Sequence, residues 1–271
     1  MNKSELSRKE ILEGAKQGAE VSFYLARHGA TILNSESAAS VDRERGWSQC
    51  PLTAEGAEDA RHAALKLKDK GIGAICCSDL ARSEESAEII GRILDVEPRA
   101  SAKLRPWGLG ILTNRPMSMA GPQIAAYTKK PDRPVPEGES FNEFKRRAFR
   151  GLYEAIARNP GKSVLIVSHL RVDALLRSWQ AAGQPIHHGV DIEAFLREGE
   201  PPGGIRLFRT HRQLLRGELD NKLTHTEANY RKGHEPEFCH TCEYSNHMMS
   251  PTCSLVMDIR RSGWCRLWEN G

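Results

Sequence analysis

Short apolar runs alternate with longer amphipathic segments along most of the chain. Residues 21–26 (VSFYLA), 72–77 (IGAICC) and 164–167 (VLIV) are runs of strand length, each ending abruptly in polar residues: Arg27-His28-Gly29, Ser78-Asp79 and Ser168-His169. Runs this short and this apolar read as buried strands opening into loops. The segments between them have helical spacing. Thr53 sits where an N-cap belongs, Ala57, Ala60, Ala64 and Leu67 share a face, and Gly71 ends the segment. Ser78-Asp79 is placed to cap a second helix carrying Arg82, Ala87, Ile89, Ile90 and Leu94. Ser140 and Glu143 form a capping-box pattern before a third, with Phe141, Phe144, Ala148, Leu152 and Ile156 at helical spacing. Residues 203–209 add a final strand. This alternation predicts an α/β fold of three layers, a mainly parallel sheet with helices on both faces.

Two regions depart from the alternation. Residues 101–140 are rich in Pro and Gly and read as an insertion arching over the sheet end, a position that shapes a pocket. The polar residues 213–226 read as a linker to a cysteine-rich segment at 227–271, and residues 1–20 as a helical extension. The main domain is therefore expected to span 21–212.

Composition narrows the function classes. The 271 residues carry a formal charge of +4 with no Lys/Arg-rich run, so no nucleic-acid footprint is expected. No apolar stretch is long enough to span a membrane, and the first twenty residues lack the apolar core of a signal peptide, so the expected location is cytoplasmic. Of seven cysteines, Cys239, Cys242, Cys253 and Cys265 crowd the C-terminal segment. Without an export signal, such a cluster favours metal over disulfides.

The candidate chemistry gathers at the strand ends. His28 with Arg27, Arg82 one helical turn into the next helix, and His169 all lie just beyond carboxyl ends of predicted strands, where open α/β sheets bind ligands. Two histidines and two arginines suit a phosphoryl group. A guanidinium grips two phosphate oxygens and keeps its charge, while an imidazole serves as nucleophile or stabiliser. Taken singly, each histidine is better explained as a structural residue at a strand end, and it is their shared context that points to chemistry.

With LARHGATILN, PLTAEG, SDLARSEESAEII, PEGESFNEF and VLIVSH in this order, the chain resembles the histidine phosphatase superfamily, the phosphoglycerate mutase-like proteins. That resemblance implies a phosphatase in which His28 attacks phosphorus, Arg27, Arg82 and His169 hold the oxygens, and water later releases phosphate. It implies no metal for that step, a small phosphorylated molecule or a phosphoprotein as substrate, and Thr31 and Asn34 as polar ligands to it, with ordinary loop hydrogen bonding an equal alternative for those two. Two departures follow from the same comparison. Where the family often has a glutamate that protonates the leaving oxygen, this chain has Pro106 in LRPWGLG; and Leu170-Arg171 replaces a pair of small residues after His169. A positioned acid is worth roughly 100- to 10,000-fold. Either another carboxyl serves, with Glu139, Asp173, Asp42 and Glu44 as candidates, or the substrate has an easy leaving group, or the domain binds phosphorylated ligands with weak turnover. Arg171 either extends the anion site or is a solvated arginine at a helix start. Trp107, Met117, Met119 and Tyr127 either line a cleft or pack the insertion.

Four thiolates satisfy tetrahedral zinc or an iron-sulfur cluster, and so small a segment needs such a staple. Gly263-Trp264-Cys265, Trp268 and EANY at 227–230 make the segment resemble high-potential iron-sulfur proteins. That implies a 4Fe-4S cluster at Cys239, Cys242, Cys253 and Cys265, shielded by Tyr230, Phe238, Tyr244, Trp264 and Trp268, and a redox partner. Structural zinc is the alternative, with His234, His240 or His247 able to replace a thiolate; two disulfides are the third reading.

Overall fold

The computed structural model describes residues 20–33, 43–185, 187–197 and 199–217. The chain divides into units Met1–Glu218 and Leu219–Gly271, and every described residue belongs to the first. Residues 1–19 of the expected N-terminal extension, Asn34, Asp42 and the four clustered cysteines lie outside the described residues, while Glu20 belongs to the first strand.

Five strands form one sheet in the order β3-β2-β4-β1-β5. They are β1 (Glu20–Arg27), β2 (Ile72–Cys77), β3 (Pro98–Ala100), β4 (Ser163–Ser168) and β5 (Ile205–His211). Strand β4 lies between β1 and β2 and runs parallel to both, pairing Phe23 with Val164, Arg27 with Ser168, and Cys77 with Val167. β2 and β3 are also parallel, whereas β5 closes the other edge antiparallel to β1. The mainly parallel sheet is thus present, with one short strand, β3, that its three-residue length hid in the sequence.

Side chains on each strand alternate between two cores, because successive residues of a strand point to opposite faces. Phe23, Leu25, Ala74, Cys76, Val164 and Ile166 enter one core; Ala26, Ile75, Cys77, Leu165 and Val167 enter the other. The second is covered by α1 (Ala54–Leu67) and α2 (Ala81–Leu94) through Ala60, Ala64, Leu67, Ala87 and Ile90. The first is covered by α3 (Met117–Thr128), α4 (Phe141–Ala157), α5 (Leu170–Ala181), α6 (Ile192–Leu196) and α7 (Arg212–Arg216). A sheet buried on both faces explains why its strands read as continuous apolar runs, and each buried Val, Leu or Ile stabilises the layers by roughly 1.5–3 kcal/mol.

Local signals hold at most boundaries. Thr53 caps α1 by accepting from the Gly56 amide at 3.0 Å, and Ser140 and Glu143 form the reciprocal capping box of α4. The second predicted cap is corrected. α2 begins at Ala81 after Leu80 with no side-chain cap, because Asp79 accepts both Nε and Nη2 of Arg105 at 2.7 and 2.6 Å. The packed chain also runs a little past residue 212, with Leu214 and Leu215 buried in the core. Among the described residues, no helix is long and apolar enough to cross a membrane.

The insertion is packed onto the sheet by Trp107, which is fully buried against Phe141, Phe144 and Phe195 and donates to the Glu139 carbonyl at 3.0 Å. Tyr127 packs against the same core, and Met119 points to solvent at 56% exposure. Of the four residues considered for a cleft, only Met117 lines one.

Candidate functional site

Because β4 lies between β1 and β2, the residues leaving these three strands emerge side by side at the carboxyl edge. There they surround a cavity lined by Arg27, His28, Glu44, Arg45, Gly46, Arg82, Pro106, Met117, His169, Leu170 and Arg171. All four residues singled out for phosphoryl chemistry are brought together. Thr31 is buried beside this region, paired with Leu52 in an isolated bridge, and is not part of the lining.

The loop carrying His28 is pinned on every side. The His28 amide donates to the Ser168 carbonyl at 3.0 Å, and the Gly29 amide to Ser86 Oγ at 3.1 Å. Ala30 donates its amide to Asp59 Oδ2 at 2.9 Å and accepts the Thr53 amide at 3.0 Å. A glycine must follow His28: a Cβ on Gly29 would stand 2.0 Å from the Gly56 carbonyl oxygen. The loop therefore lies directly on the first turn of α1.

The His28 ring is 2% exposed, and its Nδ1 lies 2.7 Å from the carbonyl oxygen of Gly29. A carbonyl only accepts, so Nδ1 carries the proton and Nε2 is left with a lone pair. Nε2 accepts from Arg82 Nε at 3.2 Å. Arg82 is itself fixed by the Ser48 carbonyl at 2.7 Å and the Gly46 carbonyl at 3.0 Å. Gly46 adopts φ +43°, and a Cβ there would meet Thr113 Oγ1 at 2.4 Å, so the turn that aims its carbonyl at Arg82 requires glycine. Burial, then the neighbouring Arg45, lowers the Arg82 pKa to about 10, which leaves it charged at neutral pH.

His169 faces His28 edge-on, with ring centroids 5.1 Å apart. It is 3% exposed, and neither ring nitrogen makes a hydrogen bond among the described residues. As the N-cap of α5, it stands where helical amides and the helix dipole favour an anion. Burial, followed by the charges of Arg82 and Arg27, holds the His28 pKa well below 6.5; burial, Arg82 and His28 do the same for His169. Both rings are therefore neutral near pH 7, as a nucleophile requires. Side-chain nitrogen NMR is expected to show both rings still neutral as the pH falls through 6.5, their protonation coming only at lower pH. A midpoint at 6.5 for either would contradict this account of their burial.

Arg27 is oriented from behind by the Glu200 carbonyl, which accepts its Nη1 at 2.7 Å. Glu200 is held in turn by Arg206 and by Asp173 Oδ2, which accepts the Glu200 amide at 3.5 Å. Asp173 also pairs with Arg177 at 2.8 Å and Arg206 at 3.3 Å. Its carboxylate is thus committed behind the cavity. Glu139 is committed too, held by both Nε and Nη2 of Arg147 at 2.6 and 2.7 Å. Neither lines the cavity, which removes two of the four candidate acids from the reacting position.

Pro106 does line the cavity, and its carbonyl accepts Arg147 Nη2 at 2.8 Å and Trp47 Nε1 at 2.9 Å. Glu44 is the one carboxylate among the described lining residues. Arg171 is not a solvated arginine: it reaches into the cavity and its Nη2 pairs with Glu44 Oε2 at 3.0 Å. Burial pushes the Glu44 carboxyl up, but the charge and hydrogen bond of Arg171, with Arg45, outweigh burial and leave it below its usual range. Arg45 and the Gly46 turn escaped the sequence reading. Their only signal is a basic residue before Gly46-Trp47, in a stretch with no strand or helix to place it.

The mainly parallel sheet thus gathers two neutral imidazoles and four arginines around one cavity, an arrangement whose charge suits an anion. Residues 23–194 match the histidine phosphatase superfamily (branch 1), and the chain belongs to that family. It is 32% identical over 151 residues to the probable phosphoglycerate mutase GpmB of Yersinia pestis (strain Pestoides F), covering 54% of this chain and 68% of that protein. Two solved structures share the fold. The mycobacterial glucosyl-3-phosphoglycerate phosphatase aligns with TM-score 0.57 at 20% identity, covering 71% of this chain and 92% of that one. The alpha-ribazole phosphatase of Shigella flexneri aligns with TM-score 0.53 at 23% identity, covering 69% and 89%.

Proposed function

We propose that this chain hydrolyses a phosphorylated substrate in two steps, through a phosphoryl group carried by His28. The observation behind this reading is the pairing of Nδ1 with the Gly29 carbonyl, which leaves the Nε2 lone pair for phosphorus. In the first step Nε2 attacks, and the bond from phosphorus to the leaving oxygen breaks with its electron pair. The phosphorylated ring becomes an imidazolium, and its Nδ1–H donates to the Gly29 carbonyl. Arg27, Arg82 and the neutral His169 hold the three equatorial oxygens, where charge spreads in a loose transition state. In the second step water attacks phosphorus, the P–N bond breaks, and its electron pair restores Nε2; the protons of the water leave with phosphate. A small phosphorylated molecule is the proposed substrate, supported by the named activities of the relatives.

Nitrophenyl phosphate tests this reading. The protein is expected to release inorganic phosphate catalytically over many turnovers. Phosphate-ester binding without turnover would contradict it and favour a protein that only binds phosphorylated ligands.

We also propose that Cys239, Cys242, Cys253 and Cys265 hold a 4Fe-4S cluster, with structural zinc as the alternative. The support is their spacing and the aromatic residues around them in the sequence, since they lie outside the described residues. A bound cluster would supply one-electron chemistry and call for a redox partner. Anaerobically purified protein is expected to contain iron and absorb visible light; a colourless protein with one zinc per chain would establish the alternative.

A further inference from the structure

Among its described lining residues, the cavity is rich in positive charge and poor in transferable protons. Arg27, Arg45, Arg82 and Arg171 line it with guanidinium groups. The two imidazoles do not supply the missing proton. His28 commits its Nδ1–H to Gly29 and its Nε2 to phosphorus, and His169 is a neutral ring whose remaining N–H is a very weak acid. Glu44 is tied down by geometry: Arg171 Nη2 sits at 3.0 Å from Oε2, and the Arg45 amide donates to Oε1 at 3.2 Å. Both carboxylate oxygens accept hydrogen bonds, which favours the ionised form. The position between the Arg105 and Trp107 peptides is filled by Pro106, which has no proton to give, and its carbonyl is already bonded to Arg147 and Trp47.

The wall formed by these described residues stabilises a departing anion and offers no proton to a departing alkoxide. An alkyl alcohol leaves poorly unless protonated, whereas a carboxylate or a phosphate leaves readily as the anion. Resting on the two-step reading above, we propose that the natural substrate carries its phosphoryl group in an anhydride linkage, an acyl phosphate or a diphosphate, whose leaving oxygen departs unprotonated beside Arg45 and Arg171. The balance is complete without a further reactant: His28 Nε2 forms the P–N bond, the bridging P–O bond breaks, and the electron pair stays on the released carboxylate or phosphate. Arg171, already near Glu44, gains a second anionic partner as that oxygen develops charge, and Arg45, whose amide bonds Glu44, lines the same cavity.

The test reads kcat/KM, which reports phosphoryl transfer to His28 even when release of phosphate limits kcat. Nitrophenyl phosphate, phenyl phosphate and glycerol phosphate rank leaving groups from good to poor; acetyl phosphate and inorganic diphosphate probe the two anhydrides. The expected result is a steep series, with nitrophenyl phosphate about 100-fold or more above glycerol phosphate and at least one anhydride above glycerol phosphate by a similar factor. The anhydride that is turned over identifies the source. Glycerol phosphate within tenfold of nitrophenyl phosphate would overturn the proposal, as would failure of both anhydrides to exceed glycerol phosphate. Glu44→Gln and Asp42→Asn are expected to keep the steep series whatever their absolute rates. A wild-type series that is shallow and steepens in one of these variants would assign the proton to that carboxyl and overturn the proposal. Failure to trap phosphoryl on His28 from any substrate is a separate outcome that removes the two-step reading itself.

Discussion

Replacing His28 with alanine is expected to lower kcat on nitrophenyl phosphate by about four orders of magnitude or more, the scale seen when a catalytic nucleophile is deleted. The variant keeps Arg27, Arg82 and His169, and with them most of the phosphate-binding charge. Its KM for the ester is therefore expected to change far less than kcat. This split follows from the geometry. Arg82 is anchored to the Gly46 and Ser48 carbonyls, so it stays in place when its third bond, to His28 Nε2, is removed. The loop is held by backbone bonds to Ser168, Ser86 and Asp59 that do not involve the ring. Steady-state rates checked against an unchanged circular dichroism spectrum make the measurement. Residual turnover within tenfold of the wild type would mean that water, not His28, attacks phosphorus.

The second large effect is on stability. Arg147→Ala is expected to destabilise the fold by roughly 3–5 kcal/mol, because removing one partner of a buried pair leaves the other charge uncompensated. Arg147 and Glu139 are both nearly fully buried. The guanidinium also donates to the carbonyls of Ala102, Lys103 and Arg105 at 3.3, 3.1 and 3.0 Å, and to Pro106 at 2.8 Å. One side chain thus satisfies four carbonyls of the segment that brings Pro106 to the cavity, Ser168 taking that of Leu104. A fall in melting temperature of about 6 to 20 °C is the corresponding readout for a domain of this size. Glu139→Gln keeps the hydrogen-bonding shape and is expected to lose less, with Trp107 still bonded to the backbone carbonyl of residue 139. A melting temperature for Arg147→Ala within 2 °C of the wild type would show that the pair does not hold the insertion.

Much of the frame was legible in the sequence because burial on both faces of a sheet leaves a plain mark: three apolar runs, each followed by polar residues that must lie at a strand end. The Thr53 cap and the Ser140/Glu143 box were legible for a similarly local reason, since each satisfies amides within three residues of itself. Arg27, His28, Arg82 and His169 could be grouped because they share one relation to the strands, and strand order then converts that relation into proximity. What failed were questions of partner choice across long stretches of sequence. Asp79 reads as a cap until Arg105 is seen taking its carboxylate. Glu139 and Asp173 read as candidate acids until Arg147, Arg177 and Arg206 are seen to hold them. Arg171 reads as a helix-start residue until Glu44, 127 positions away, is found beside it. Arg45 and Gly46 lie on an irregular loop, where no periodicity constrains position. These pairings matter for function, because they decide which carboxylates are available as acids.

Passage of the phosphoryl group through His28 leaves a covalent intermediate that rapid quench followed by peptide mapping detects. Wild-type protein mixed with excess nitrophenyl phosphate and quenched in alkali, where a phosphorylated imidazole survives, is expected to carry up to one phosphoryl group per chain, located on His28 and lost on acidification. Turnover with no phosphoenzyme at any time, or a phosphoryl group on another residue, would contradict the account.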